Sequence, residues 1–370
     1  MKLKLKNTPE QVELIAALGS RDQTEAREAQ NAFAAFIGPV LQQVIKQSST
    51  TGLIYVDNEF DEDDSPSYPL DLYYNENAGY VNVWSQSMAG GLPTSTVEGV
   101  KEIKISTYRL DSAVSWMKKY ARKHRLDVVS KALERMAQEI LVKQERNGWA
   151  VVLKALATSN SSKGKGINST HLLKCATKNV FHVGDISKLM THMRRIGSSF
   201  ANGTPSSDTF GLTDLFVSPE VKEQIRSFSY ESFNTRGSGT VSLPDSVREN
   251  VWSNAGLGEI YGVVIHDLIE LGSGNKYNTL FDSMLSSGNS LGLEAGSGDF
   301  VKANDEVMIG IDMTKEALIR PVARQADSGG TFTAVPDDQF QVRADKVGFY
   351  GFLEEGRVCI DSRALAGLIM

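Results

Sequence analysis

The 370-residue sequence predicts an α+β fold. Three observations carry that prediction. Leu126 to Thr158 is the longest uninterrupted helical pattern in the chain, residues from Thr51 to about Met117 alternate with a period of two, and a succession of short apolar runs and amphipathic helices follows.

In the long stretch, Val129, Leu133, Met136, Ile140 and Leu141 recur at helical spacing, and Trp149, Val152 and Leu156 resume on nearly the same side. Asp127 is placed to cap its start, and Gly148 costs about 1 kcal/mol in its interior. At 1.5 Å per residue it makes a rod roughly 48 Å long, well beyond the usual globular helix of roughly 8–20 residues. Such a rod is expected to span and brace.

Residues 1–50 read as a helical arm. Thr8-Pro9-Glu10-Gln11 has the form of a capping box with proline at the first helical position, and Gly19 marks a stop. A second helix follows through Ala26, Ala29, Phe33, Ile37, Leu41 and Val44, bent or broken at Gly38-Pro39. Two placements are open: on its own domain, or on a neighbouring subunit.

Leu53 to Val56, Tyr68 to Tyr74, Tyr80 to Trp84 and Val100 to Tyr108 read as strands. SQSMAGGLPTSTVEG lies between the last two, so a β-ribbon with an exposed tip is predicted. An isolated ribbon is marginal in water and needs a partner to lie on.

Two charge runs flank the ribbon. The acidic run Asp57, Glu59, Asp61, Glu62, Asp63 and Asp64 fails as a calcium loop, because Glu62 stands where glycine is needed and Tyr68 where the bidentate Glu belongs. It reads as a solvated loop. The basic run Lys118, Lys119, Arg122, Lys123, His124 and Arg125 suits a solvated turn, nucleic acid or a neighbour's carboxylates.

After the rod, SNSSKGKGINST reads as a polar loop. Val183 to Phe200 is a helix with Ile186, Leu189, Met190 and Met193 on one face. Asp214 to Ser218 is a buried strand, and Pro219 starts a helix through Val221 and Ile225. Ser227 to Asn254 has little period. Ile260 to Leu271 is a short strand and turn, Thr279 to Val301 is loop-like, and Glu306 to Met313 and Ala317 to Val322 are strands. Asp345 to Ile360 reads as a hairpin across Glu354-Glu355-Gly356, and Ala364 to Met370 as a short apolar tail.

Composition narrows the function classes. A hydrophobic fraction of 41% with 23% charged residues is ordinary for a globular chain. A net charge of −6 argues against wholesale phosphate-backbone binding. Cys175 and Cys359 form no CxxC pair, and the five histidines never make HxxxH, so no zinc site is predicted. The thiols read as reduced and partly buried. MKLKLKNTPEQ lacks the apolar core of a signal peptide, and no run approaches 18 apolar residues, so no membrane association is expected and the chain is expected to be made in the cytoplasm.

Chemical motifs are weak. Gly288-Asn289-Ser290-Leu291-Gly292 matches GxSxG, but that elbow needs a helix after it and LEAGSGD follows. Gly256 to Gly262 resembles a dinucleotide loop with its third glycine one place late, leading into a strand; it reads as a turn. No GxxxxGK[ST] occurs. No catalytic, cofactor-binding or metal-binding residue is assigned, and no cofactor is expected. An arm, a ribbon and a rod leave apolar surface and strand edges for an assembly to cover.

The order of these parts resembles the tailed-bacteriophage (Caudovirales-type) major capsid proteins, whose fold is named for phage Hong Kong 97. Tyr80 to Trp84, the Gly-Pro tip and VEGVKEIKISTYRL are similar to the family's extended loop, and Ser112 to Thr158 to its spine helix. Thr213 to Pro219 is similar to a strand and helix start of the axial domain. Arg343 to Phe352, with Gly356-Arg357-Val358 and Asp361, is the most family-like stretch. The resemblance implies five segments: 1–50 the N-terminal helical arm; 51–110 the extended loop and adjoining strands; 111–180 the peripheral domain with the spine helix; 181–322 the α/β axial domain; 323–370 the C-terminal strands.

It also implies a homo-oligomer, with pentamers and hexamers of an icosahedral shell around double-stranded DNA, which the acidic chain contacts weakly. Portal and decoration proteins are implied partners. About 50 residues precede the first strand, so a separate scaffolding protein is expected rather than a cleaved scaffolding segment. No cross-linking lysine and asparagine pair is assigned. Two other readings stand beside the viral shell: an encapsulin-like compartment shell of the same fold, and an α+β serine hydrolase using Ser290.

Overall fold

The computed structural model describes residues 8–61, 64–69, 102–123, 126–159, 171–197, 211–227, 259–285, 300–314, 316–325, 330–337 and 345–370. The tip of the expected ribbon with Tyr80 to Trp84, the loop after the rod, most of Ser227 to Asn254, and Ser290 lie outside them.

The helices are α1 (Pro9–Leu18), α2 (Gln23–Ser48), α3 (Thr51–Ile54), α4 (Lys118–Arg122) and α5 (Leu126–Ser159). Then come α6 (Val183–Gly197), α7 (Pro219–Ser227) and α8 (Lys276–Met284). The early strands are β1 (Val56–Asp61), β2 (Ser67–Pro69), β3 (Glu102–Lys104), β4 (Tyr108–Met117) and β5 (Leu172–Lys174). In the middle lie β6 (Asp214–Val217), β7 (Glu259–Ile260), β8 (Val263–Asp267) and β9 (Val307–Ile311). The last are β10 (Leu318–Arg324), β11 (Thr333–Asp337), β12 (Lys346–Glu355), β13 (Val358–Cys359) and β14 (Leu365–Ile369). Two compact units divide the chain: Met1–Tyr68, Ile103–Gly148 and Leu318–Val358 form the first; Pro69–Glu102, Trp149–Ala317 and Cys359–Met370 form the second.

The first unit sets α1, α2 and the front of α5 on a sheet ordered β1-β10-β12-β11, in which β4 also pairs with β12. Strand β4 runs antiparallel to β12 from Tyr108↔Glu355 to Met117↔Lys346. Alternation places Val347, Phe349 and Leu353 on the covered face, in one core with Phe33, Ile37 and Leu41 of α2 and Val129, Leu133, Met136 and Ile140 of α5. Phe349 stacks on Trp116 at 5.4 Å and meets Phe33 at 5.2 Å. Each such side chain contributes about 1.5–3 kcal/mol when fully buried. The helical arm therefore packs on its own unit.

Local rules were partly overridden. Thr8 precedes α1 but makes no side-chain cap bond, so the capping box does not form. Gly19 ends α1 with φ −91°, and its role is space: a Cβ there would lie 2.9 Å from the Arg122 backbone nitrogen. Helix α2 continues through Pro39 unbroken, because its buried stripe holds both sides of the lost hydrogen bond to one surface. Asp22 caps it, accepting from the Thr24 N–H at 3.0 Å.

Four further expectations change. Thr51–Ile54 is a helical turn, and the strand begins at Val56. The acidic residues Asp57, Glu59 and Asp61 sit in that strand, which pairs parallel to β10 at the end of the sheet order, where charge discourages promiscuous edge pairing. Lys118–Arg122 is a short helix rather than a solvated turn: Lys118 is buried, and Arg122 donates to the Gly19 carbonyl at 2.7 Å. Strand β13 pairs with β10, not β12, so the end of the chain is no hairpin.

Helix α5 runs 34 residues, continuous from the first unit into the second. It begins at Leu126, so Asp127 lies inside it rather than at its cap. The predicted stripe is buried: Val129, Leu133, Trp149, Val152 and Leu156 are fully inaccessible. Lys131 and Arg146 are exposed, whereas Glu145 turns to its own chain.

The second unit is built on a sheet ordered β5-β14-β9-β6-β8-β7. Ile186, Leu189 and Met193 of α6 and Val221 and Ile225 of α7 share a core with Leu215, Val217 and Met308. Trp149 meets Phe216 edge-on at 4.9 Å. Ser218 caps α7 through its hydroxyl, which accepts from the Val221 N–H at 3.1 Å, and Pro219 fills the first helical position. The apolar tail is strand β14, set between β5 and β9 with all five residues buried. Thr279–Met284 belongs to α8 rather than to a loop.

Candidate functional site

The densest polar construction among the described residues lies in the first unit, around Glu355. This residue ends the inward register of β12 and is fully inaccessible. Its Oε2 accepts from Arg320 Nε at 2.7 Å and Gln144 Nε2 at 3.2 Å; its Oε1 accepts from Tyr108 OH at 2.8 Å and Arg357 Nε at 3.4 Å. Four donors satisfy the buried carboxylate, which otherwise would cost several kcal/mol. Arg320 extends the network to Asp57 of β1 at 3.3 Å.

Burial pushes the Tyr108 phenol up to about 12, with the Glu355 charge adding to it. Burial works against the Arg357 charge, but Glu355, Tyr108 and Tyr55 outweigh it and raise its pKa.

Directly after Gln144 on α5, Glu145 clasps the segment leaving α2. It accepts from the Ser49 hydroxyl at 2.7 Å, the Thr51 N–H at 3.1 Å and the Thr50 hydroxyl, and so caps α3 from a distance. Tyr55 OH donates to the Gly148 carbonyl at 2.8 Å, and the Arg357 guanidinium lies 4.9 Å above the Tyr55 ring. A Cβ at Gly148 would stand 2.5 Å from Arg357 Nη1 and 2.6 Å from Thr51 Cγ2. Glycine is there because two neighbours occupy the space.

Beside this network opens a cleft of about 320 Å³, edged by Gln42, Asp57, Glu59, Gln144 and Arg320 over Val322 and Phe332. Among the described residues no histidine, cysteine or paired nucleophile and base lines it. Every oxygen of Glu355 is already committed, so the network locks strands and helix together. It does not present a reactive group.

The motifs singled out in the sequence converge on nothing here. Ser290 and its GxSxG lie outside the described residues. Tyr261-Gly262, the end of the glycine-rich stretch, is the turn joining β7 to β8, with φ of 55° and 80°. Cys175 and Cys359 are free and partly buried, and burial pushes both thiols up to about 12. Among the described residues no group of three His, Cys, Asp or Glu is placed to hold a metal, and no helix is long and apolar enough to cross a membrane. The Glu355 network is absent from the sequence reading, although one signal pointed to it: Val347, Phe349, Gly351 and Leu353 set an inward alternation that ends on Glu355.

No protein family and no curated protein matches the sequence. Solved structures do match the fold. The chain is similar to the capsid structure of cyanophage P-SCSP1u with a TM-score of 0.50 and 11% identity, over 85% of this chain and 86% of that one. It also matches the cyanophage Pam1 capsid (TM-score 0.47, 11% identity, 85% and 88% covered) and Microbacterium phage Oxtober96 (0.46, 10%, 86% and 90%). The first carries the assignment. This chain has the α+β fold of a phage capsid subunit, as the resemblance to tailed-phage capsid proteins implies.

Proposed function

We propose that the chain is a major capsid protein that assembles into the pentamers and hexamers of an icosahedral head enclosing double-stranded DNA. The observation that carries this reading is the fold shared with the P-SCSP1u capsid over nearly the whole of both chains. The Glu355 network supports it, because a buried carboxylate whose two oxygens each accept from two donors ties strands and helix together within a subunit.

In this reading, 1–50 is the arm, 51–110 the extended loop that lies over an adjacent subunit, and 111–180 the peripheral domain with the spine. Residues 181–322 gather about the symmetry axes, and 323–370 return as the closing strands. The role is structural, not enzymatic, and the site of action is the virion, after synthesis in the host cytoplasm. A separate scaffolding protein guides assembly, and portal and decoration proteins complete the head.

Electron microscopy of the purified chain tests the class. Closed shells of uniform size are expected, and a soluble monomer at all concentrations would overturn the reading. Particles carrying genomic-length DNA separate a viral head from an encapsulin-like compartment. Ser290→Ala is expected to leave assembly unchanged.

A further inference from the structure

The second unit carries a strongly basic groove that the assembly reading does not use. Residues 171–197 contain five Lys and Arg against one carboxylate, in a chain whose totals are 39 and 45. They also hold three of the chain's five histidines. The fold gathers part of this charge. Lys174 of β5 and Lys188, His192 and Arg195 of α6 line one open groove of about 410 Å³, together with the hydroxyls of Ser187 and Thr191. Among the described residues no carboxylate lines it. The one acid of this segment, Asp185, is buried and already accepts from the Ala176 and His182 N–H groups, and its pair with Lys188 at 3.5 Å leaves that lysine's side chain 59% exposed.

The geometry points to a docking track for the phosphate backbone of duplex DNA. Lys188, His192 and Arg195 follow one another at helical spacing on the outer face of α6, a row about 10 Å long. One strand of B-form DNA presents about three phosphates over that length, at 3.4 Å of axis each. Lysine, arginine and hydroxyl donors are the side chains that hold phosphate oxygens. Among the described residues of the lining there is no aromatic ring on which the bases of a single strand would stack. The contact is therefore to backbone and insensitive to sequence. This inference rests on the shell reading for its source of duplex DNA and gives the packaged genome a defined contact on an otherwise acidic subunit.

The test uses the full-length chain and a mixed-sequence 30-base-pair duplex, with binding followed from 50 to 200 mM salt. Neutralising the track with Lys174→Gln, Lys188→Gln and Arg195→Gln together is expected to weaken binding by at least about tenfold at 50 mM salt and to make the slope of log K against log salt shallower by about 2–3. Circular dichroism reports whether the variant is folded. A matched variant, Lys131→Gln, Arg135→Gln and Lys143→Gln, removes the same charge from the exposed side of α5 and is expected to bind as the parent does. Equal weakening in both variants would reduce the effect to net charge and overturn the site. Unchanged DNA binding with failed assembly would assign the groove to a second copy's acidic segment instead, and would also overturn it. A parent chain that binds duplex through the groove yet forms no shells by electron microscopy would retain the site and reject the shell.

Discussion

Glu306 sits at the entrance to β9 with its backbone tied to Met370 in both directions, at 3.0 and 2.9 Å. Its side chain is 3% exposed, and Oε1 has no partner. Burial pushes its carboxyl up to about 6, and the Glu220 charge adds to this while the Ser218 hydroxyl opposes it. The folded pKa lies above the unfolded value of 4.5. Below pH 4.5 both states are protonated and the residue costs nothing; as pH rises through 6, the folded state must hold an ion in an apolar place, at about 2 kcal/mol. Glu306→Gln is therefore expected to stabilise the second unit by about that amount at pH 7.5 and by nothing at pH 4. Urea midpoints at the two pH values decide it, and an equal gain at both would mean that ionisation is not the cause. Gly148 teaches the complementary lesson at this scale. Its sequence context assigns a helix penalty, but the reason for glycine is Arg357 and Thr51, residues far away in the chain.

At the scale of elements, the long amphipathic helices were the most legible part of the chain, whereas the short α3, α4 and α8 read as strand, turn and loop. The stripe of α5 was readable because helical spacing is local, and burial follows it from Val129 to Leu156. Strands were readable where alternation or a continuous apolar run marked them, as in β6 and β9. They were missed where tertiary pairing overrides composition. Val56–Asp61 is polar enough to read as a loop, yet β10 captures it in parallel register. Leu365–Ile369 is too short to show a period, and only its place between β5 and β9 makes it a strand. Leu133 tests the helix most directly. It is fully inaccessible and packs in the core with Phe349 and Leu41. Leu133→Asp buries a charge that has no partner, which costs well above about 4 kcal/mol and is expected to abolish soluble, assembly-competent subunit. Normal shells from this variant would mean that the stripe is not the inward face.

For the whole molecule, chain order and core membership are interleaved. The first unit draws on three separate segments, and its strands β10 and β12 are made only after most of the second unit. No local pattern encodes such pairing, which is why the partner of β13 and the strand β14 were not readable from composition and why the Glu355 network joins Tyr108, Gln144 and Arg320 across the sequence. The same interleaving makes the last residues indispensable to the second sheet. Deleting Leu365–Met370 removes β14, which hydrogen-bonds β5 on one side and β9 on the other. Strand β5 then has no neighbour in the sheet, and β9 exposes one whole edge. The core around Met308 and Leu215 also loses Ala366 and Leu368. The first unit has its own core around Phe349 and Leu133 and contains none of the deleted residues. Hydrogen exchange of the truncated chain is expected to show the amides of Met308 to Ile311 unprotected while those of Val347 to Leu353 remain slow. Retained protection at β9 would mean that β14 is an accessory to the sheet. Loss at β12 as well would mean that the two cores unfold as one cooperative unit, so that the proposed shell would tolerate no local damage at this strand.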